Sequence, residues 1–190
     1  MLRRELLPAV GIALTLLALG VTAGGDNRHR PLRVSAELVP TNEVPSISSG
    51  ARGRFKATID RENQTISYEL SYEGMEDTVL QSHIHLGQRH TNGGISVFLC
   101  GNPPTVPPAT FPQPPACPLS QATITGVLTA ANIVGPAAQG IAASQGGVNE
   151  FDELVDAILS GATYANVHSA KFPGGEIRGQ VRTDQRRGRD

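Results

Sequence analysis

The 190-residue chain has no tryptophan, and phenylalanine and tyrosine together make up only 4% of it. Its interior must therefore be assembled from Val, Ile, Leu and Ala within a hydrophobic fraction of 39%, enough for one domain of ordinary size. Charge is also scarce: the formal net charge is −1, and no basic stripe is interleaved with aromatics, which argues against nucleic acid as a partner. No Gly-x-Ser-x-Gly elbow occurs, and the two cysteines do not form a Cys-x-x-Cys pair. Ser82 flanks a histidine pair, but strand alternation turns it to the other side, so no hydrolase triad is supported. Paired carboxylates for glycoside chemistry are absent from any strand register.

One long apolar run is present, Leu6 to Val21, preceded by Arg3 and Arg4 and closed by Val21-Thr22-Ala23. A basic start, an apolar middle and small residues at the end are the layout of a secretory signal over residues 1–23, with cleavage expected after Ala23. General export and the twin-arginine route both fit the Arg-Arg start. The run is short for a bilayer and carries Pro8, so no retained membrane span is expected. Cleavage would remove Arg3, Arg4 and Glu5 and take the formal charge from −1 to −2. The expected location is secreted or periplasmic, facing an extracellular or cell-envelope partner that the sequence does not name.

In an oxidising compartment Cys100 and Cys117 are expected to pair. Prolines at 103, 104, 107, 108, 112, 114 and 115 exclude helix and ladder from the stretch between them, leaving a Pro-rich loop over 101–118 held at its neck. In the chain-entropy model such a closure contributes about 3 kcal/mol.

The rest of the chain is dominated by a two-residue period. "RFKATI" and "TISYELSY" alternate apolar and polar side chains around the turn "DREN", which predicts a hairpin. The same period recurs in Arg33 to Leu38, "VLQSHIHL", "ISVFLC", "ATITGVLT", "TYANVHS" and "EIRGQVRT". About eight strands with turn residues between them predict an all-β antiparallel sandwich or barrel. "NEFDELVDAILSG" departs from it. Phe151, Leu154, Val155, Ile158 and Leu159 fall at helical spacing, with Asn149 as N-cap candidate and Gly161 as stop, which predicts one short helix over an end or edge of the sheets. Residues 24–32 read as a flexible start, 33–183 as the domain and 184–190 as a charged, solvated tail.

Residues two apart on a strand share a face, with Cα atoms about 6.7 Å apart. His83 and His85 therefore point one way while Ile84 and Leu86 enter the core. "TYANVHS" puts Asn166 and His168 on one face, and "GEIRGQV" does the same with Glu176, Arg178 and Gln180. Were these strands neighbours, His83, His85, Asn166, His168, Glu176, Arg178 and Gln180 would form one outward polar patch. Two readings follow. His83, His85 and His168 could hold one Zn or Cu ion, with Glu176 as fourth ligand or as an acceptor fixing a tautomer. Alternatively the patch is a hydrogen-bonded ladder in which Glu176 and Arg178 pair across strands, with no cofactor. His90 falls in the next turn and His29 in the flexible start.

"NEVP" (Asn42 to Pro45), "HIHLG" (His83 to Gly87), "GVLT" (Gly126 to Thr129) and above all "YANVHSAKFPGGEIRGQV" (Tyr164 to Val181) resemble the CHRD domain, the module named for chordin and also found in single-domain exported microbial proteins. The resemblance runs from about Val34 to Arg182. It implies an immunoglobulin-like β-sandwich, likened to the Cu,Zn superoxide dismutase barrel, and no settled activity. A bridged copper and zinc pair needs about six histidines and an Asp. The domain has four, at 83, 85, 90 and 168, so a full dismutase site is excluded while a single metal is not. Chordin's growth-factor antagonism depends on cysteine-rich modules that this chain lacks and is not transferred. The expected function is a non-enzymatic structural or binding module, with mononuclear Zn or Cu binding, or a metalloenzyme built on it, as the alternative.

Overall fold

The structure is a computed structural model that describes residues 31–145 and 148–184. The segment expected to direct export, His29 and residues 185–190 lie outside the described residues. Among the described residues nine strands form two antiparallel sheets with one α-helix. The strands are β1 (Leu32–Leu38), β2 (Arg52–Asp60), β3 (Thr65–Glu73), β4 (Val79–Leu86), β5 (Gly94–Gly101), β6 (Ala122–Leu128), β7 (Thr163–Ser169), β8 (Ile177–Gln180) and β9 (Arg182–Thr183), with α1 (Phe151–Leu159) before β7. One sheet runs β6-β3-β2-β1-β9 and the other β5-β4-β7-β8, an all-β sandwich.

The stretch expected as one last strand is two. Val181, fully buried, lies between β8 in one sheet and β9 in the other, so the chain crosses the sandwich there. Its alternation survives the crossing because Ile177 and Val181 both point into the shared core.

The core follows from the two-residue period. Val34, Ala36, Leu38, Phe55, Ala57, Ile59, Ile66 and Leu70 from one sheet meet Ile84, Val97, Leu99, Ala165, Val167 and Ile177 from the other, all buried. Tyr68 and Tyr72 also reach inward, and each hydroxyl donates to a carbonyl, of Leu99 at 2.6 Å and of Pro118 at 2.5 Å. The short helix buries Phe151, Leu154, Val155 and Ile158. Arg61, in the β2–β3 turn, pairs with Asp152 and Asp156 on its outer face and fixes it at that end of the sandwich. Asn149 Oδ1 accepts from the Phe151 N–H at 3.1 Å although Glu150 holds the N-cap position, and Gly161 takes φ +74° just past the end, the left-handed stop. Cys100 and Cys117 are bonded, with Cα atoms 5.1 Å apart. Asn102 adds a second clamp at this neck, donating to the carbonyls of Val79 and Cys117 and accepting from the Cys117 N–H.

Candidate metal centre

β4, β7 and β8 are neighbours in that order, and their pairing sets the site: His83 lies opposite Asn166, His85 opposite Tyr164, and Asn166 opposite Arg178. On the other side of β4 the register with β5 slips twice, between Ser82 and His83 and between Ile84 and His85. Bulges of this kind re-aim side chains. Here they bring Phe98 opposite His83, with its ring edge-on at 4.5 Å.

The expected face is right but its surroundings are not. His83, His85, Asn166, His168, Glu176 and Arg178 are all buried, none above 7% exposed, so the patch is not an outward polar surface. Segments without periodicity cover it. The Arg178 guanidinium donates to the carbonyls of Gln88 at 3.2 Å and Thr91 at 2.6 Å and to Asn92 Oδ1 at 3.3 Å, pulling the β4–β5 loop over the sheet. Asn92 in turn donates to the Val44 carbonyl, so the "NEVP" segment is tied to the same lid. Gln180 Nε2 donates to the carbonyls of Gly87 and Gly161. The cross-strand pairing expected of Glu176 and Arg178 does not form. Glu176 Oε1 accepts from the Glu76 N–H at 3.0 Å, while Arg178 serves the loop carbonyls instead.

His83, His85 and His168 converge. One ring nitrogen of each lies within 4.8 Å of the others, and His83 Nδ1 is 3.2 Å from His168 Nε2. Glu176 does not belong to this group: it serves neither as fourth ligand nor as acceptor for a ring N–H. Main-chain carbonyls take the acceptor role. His85 Nδ1 bonds the Gly93 carbonyl at 2.9 Å, and His168 Nδ1 bonds the Pro173 carbonyl at 2.9 Å. A carbonyl only accepts, so both rings carry their proton on Nδ1 and present a lone pair at Nε2. His83 Nδ1 then donates to His168 Nε2, and its own Nε2 is a lone pair as well. Neither His83 Nε2 nor His85 Nε2 has a hydrogen-bond partner among the described residues. The Asn166 side chain is close enough to favour a proton on His85, yet its Oδ1 is also unpartnered.

Burial keeps the three rings neutral. It pushes His83 well below the usual imidazole range, helped by His168 and His85, and lowers His168 against the opposing Pro173 bond. His85 falls to about 4 through burial, with the Gly93 bond opposing and with His168 and the Arg178 charge adding to the drop. The Tyr164 ring stacks on His85 at 4.7 Å, the Arg178 guanidinium lies 3.5 Å over the far side of Tyr164, and the Tyr164 hydroxyl accepts from the Gly93 N–H at 3.3 Å. Three neutral imidazoles gathered in a buried place, two of them with an unpartnered Nε2, suit a cation of borderline softness once His83 ceases to donate to His168. The ring carbonyl bonds are the usual means of fixing a ligand's tautomer.

The sequence reading missed Glu43. Its carboxyl is buried against Gly175, where a Cβ would lie 2.5 Å from Oε1 and where φ is +126°, so only glycine fits the position. Burial raises Glu43 to about 7 although Arg178 and the Val44 N–H pull it down. Its visible signal was its place in the "NEVP" motif, as the one charged residue of an otherwise uncharged loop. His90 is exposed at φ 63°, away from the cluster.

A family model for the CHRD domain matches residues 34–181. The chain belongs to the CHRD domain family. The matched span takes in every strand that carries the cluster, from β4 to β8. Searches of curated proteins and of solved structures find no match. Among the described residues no helix of this CHRD domain is long and apolar enough to cross a membrane.

Proposed function

We propose that the protein is an exported CHRD module that holds one transition-metal ion, zinc or copper, through His83, His85 and His168, in the cell envelope or outside the cell. The reading is carried by one observation: one ring nitrogen of each of His83, His85 and His168 lies within 4.8 Å of the others in a buried place, with the protons of His85 and His168 held on Nδ1 by main-chain carbonyls. The 3.2 Å separation of His83 and His168 is what two ligands about 2.0–2.1 Å from one ion require. A groove of about 600 Å³, lined by Glu37, Arg52, Arg54, Ser71, Tyr72 and Glu73, lies away from the histidines. The test is titration of the full chain with Zn²⁺ and with Cu²⁺. One equivalent bound tightly, with binding lost in the H83A/H85A/H168A variant, supports the reading, and absence of stoichiometric binding overturns it.

A second reading rests on the His83–His168 hydrogen bond, which closes part of the cluster with no ion. In that case the module is structural, His85→Ala lowers stability, and the melting temperature does not move in saturating metal.

A further inference from the structure

Three imidazoles gather at the cluster, yet a zinc-type ion takes four protein donors in a closed site and keeps a water where the protein supplies only three. What stands in the fourth place decides whether the site only holds its ion or also offers it to a substrate. The carboxylates do not stand there. Glu43 and Glu176 fall outside the group whose ligand atoms lie within 4.8 Å of one another, Glu176 accepting from the Glu76 N–H and Glu43 lying against Gly175.

Asn166 does lie among the ligands. On β7 it is two residues from His168 on the same face, and across the pair with β4 it is directly opposite His83, with His85 on the adjoining diagonal. Opposed residues on antiparallel strands have Cβ atoms about 4.5–5.5 Å apart, so the Asn166 amide stands in the middle of the three rings. It is 2% exposed, and its Oδ1 has no hydrogen-bond partner among the described residues. The nearby His85 ring holds its proton on Nδ1 against the Gly93 carbonyl, which leaves its Nε2 a second buried acceptor without a donor. Two such acceptors repel unless a cation takes the place that a proton would fill.

We propose that Asn166 Oδ1 is the fourth ligand of the ion held by His83, His85 and His168, which makes the site a closed one of four protein donors. The assignment rests on the metal-binding reading of the same cluster and holds for zinc and copper alike. An amide oxygen is the weakest of the four donors, the part that a glutamine or main-chain oxygen plays beside stronger ligands at copper. Seating the ion requires His83 Nδ1 to stop donating to His168 Nε2, and a shift of that proton to His83 Nε2 achieves this with no proton released. A site closed in this way retains its ion and leaves no position for water or substrate.

The experiment loads the full chain with Co²⁺, a stand-in whose visible spectrum reports its ligands, and then adds azide. The parent is expected to bind one equivalent and to keep its spectrum unchanged in azide. Asn166→Leu removes the oxygen but keeps the branched shape of the side chain. It is expected to retain one-to-one binding, weakened by about tenfold or more, and to take azide in the opened position. Asn166→Asp restores an oxygen and is expected to bind at least as tightly as the parent and to refuse azide, a rescue that a merely structural asparagine does not produce. Azide binding by the parent, or Asn166→Leu with the parent's affinity and no response to azide, overturns the fourth ligand while the metal site stands. No Co²⁺ bound by the parent overturns both readings together. Should Asn166→Leu not fold, the parent and Asn166→Asp decide the matter, since azide binding by either contradicts the assignment.

Discussion

On the five-stranded sheet the outward side chains of β2 and β3 stand in water as ion pairs, whereas those of β4, β7 and β8 are sealed under loops. Lys56 meets Glu69 at 3.5 Å, Arg54 meets Glu37 at 3.1 Å and Arg52 meets Glu73 at 2.8 Å, every partner about half exposed or more. The other face puts His83, His85, Asn166, His168 and Arg178 at 7% exposure or less. Both faces arise from the same alternation. The difference is made by what lies above them: β2 and β3 are joined by a tight turn that leaves the face open, while β4 is followed by a loop that Arg178 fastens down. A polar side chain under water gains little from its partner, and the same side chain under a lid loses heavily without one.

The largest expected contrast is between the two arginines. Arg178→Ala removes the donor for two carbonyls and Asn92 and leaves Glu43 without its cation, which is expected to cost about 3–5 kcal/mol in denaturant unfolding. Arg54→Ala on the open face is expected to cost less than about 1 kcal/mol. Equal losses would erase the contrast between the faces.

Acid separates the faces next. His85 is neutral in the fold down to about 4 against 6.5 in an ordinary imidazole, so the unfolded chain binds the proton first. Its contribution is present above pH 6.5 and is lost as the pH falls through about 4, a change of about 3 kcal/mol. His83 and His168, also lowered, act in the same direction. Glu43 opposes them: raised from 4.5 to about 7, it contributes below 4.5 and its contribution is lost as the pH rises through 7. Glu43→Gln should therefore show a steeper acid loss of stability than the parent, by about 3 kcal/mol between pH 7 and 4.5 in urea titrations. Parallel curves would show that the carboxyl is not held toward its neutral form.

Reduction of the Cys100–Cys117 bond lies away from both faces and serves as a reference. It is expected to cost about 3 kcal/mol without altering metal stoichiometry. The smallest useful effect is ligand-linked: a metal at about 100 times its dissociation constant should add about 2.7 kcal/mol, seen as a raised melting temperature that the H83A/H85A/H168A variant loses. Charge removal at Lys56 on the open face should leave that increment unchanged.

The strands were legible because burial on one side writes a two-residue period into "RFKATI", "TISYELSY" and "TYANVHS", and the helix because Phe151, Leu154, Val155 and Ile158 share a stripe. The shared face of His83, His85 and His168 follows from that same period. Besides the role of Glu43, three things did not show. The burial of the polar face depends on the 87–93 and 170–176 segments, which have no period and act through main-chain carbonyls such as those of Gly93 and Pro173, invisible to any residue-type argument. Glu176 looked like a ligand because it shares the parity of Arg178, yet it precedes β8 and its carboxylate turns to the Glu76 N–H. The break at Val181 is hidden because a crossing between sheets keeps the inward parity on both sides.

The central claim is that His85 and His168, their protons held on Nδ1 by main-chain carbonyls, keep unprotonated Nε2 atoms in one buried cluster with His83. Long-range ¹H–¹⁵N NMR of the histidine rings near pH 7 reads this atom by atom: His85 and His168 should carry their proton on Nδ1, and one equivalent of metal should shift both Nε2 resonances. A proton found on Nε2 of either ring, or Nε2 resonances unmoved by metal, would contradict it.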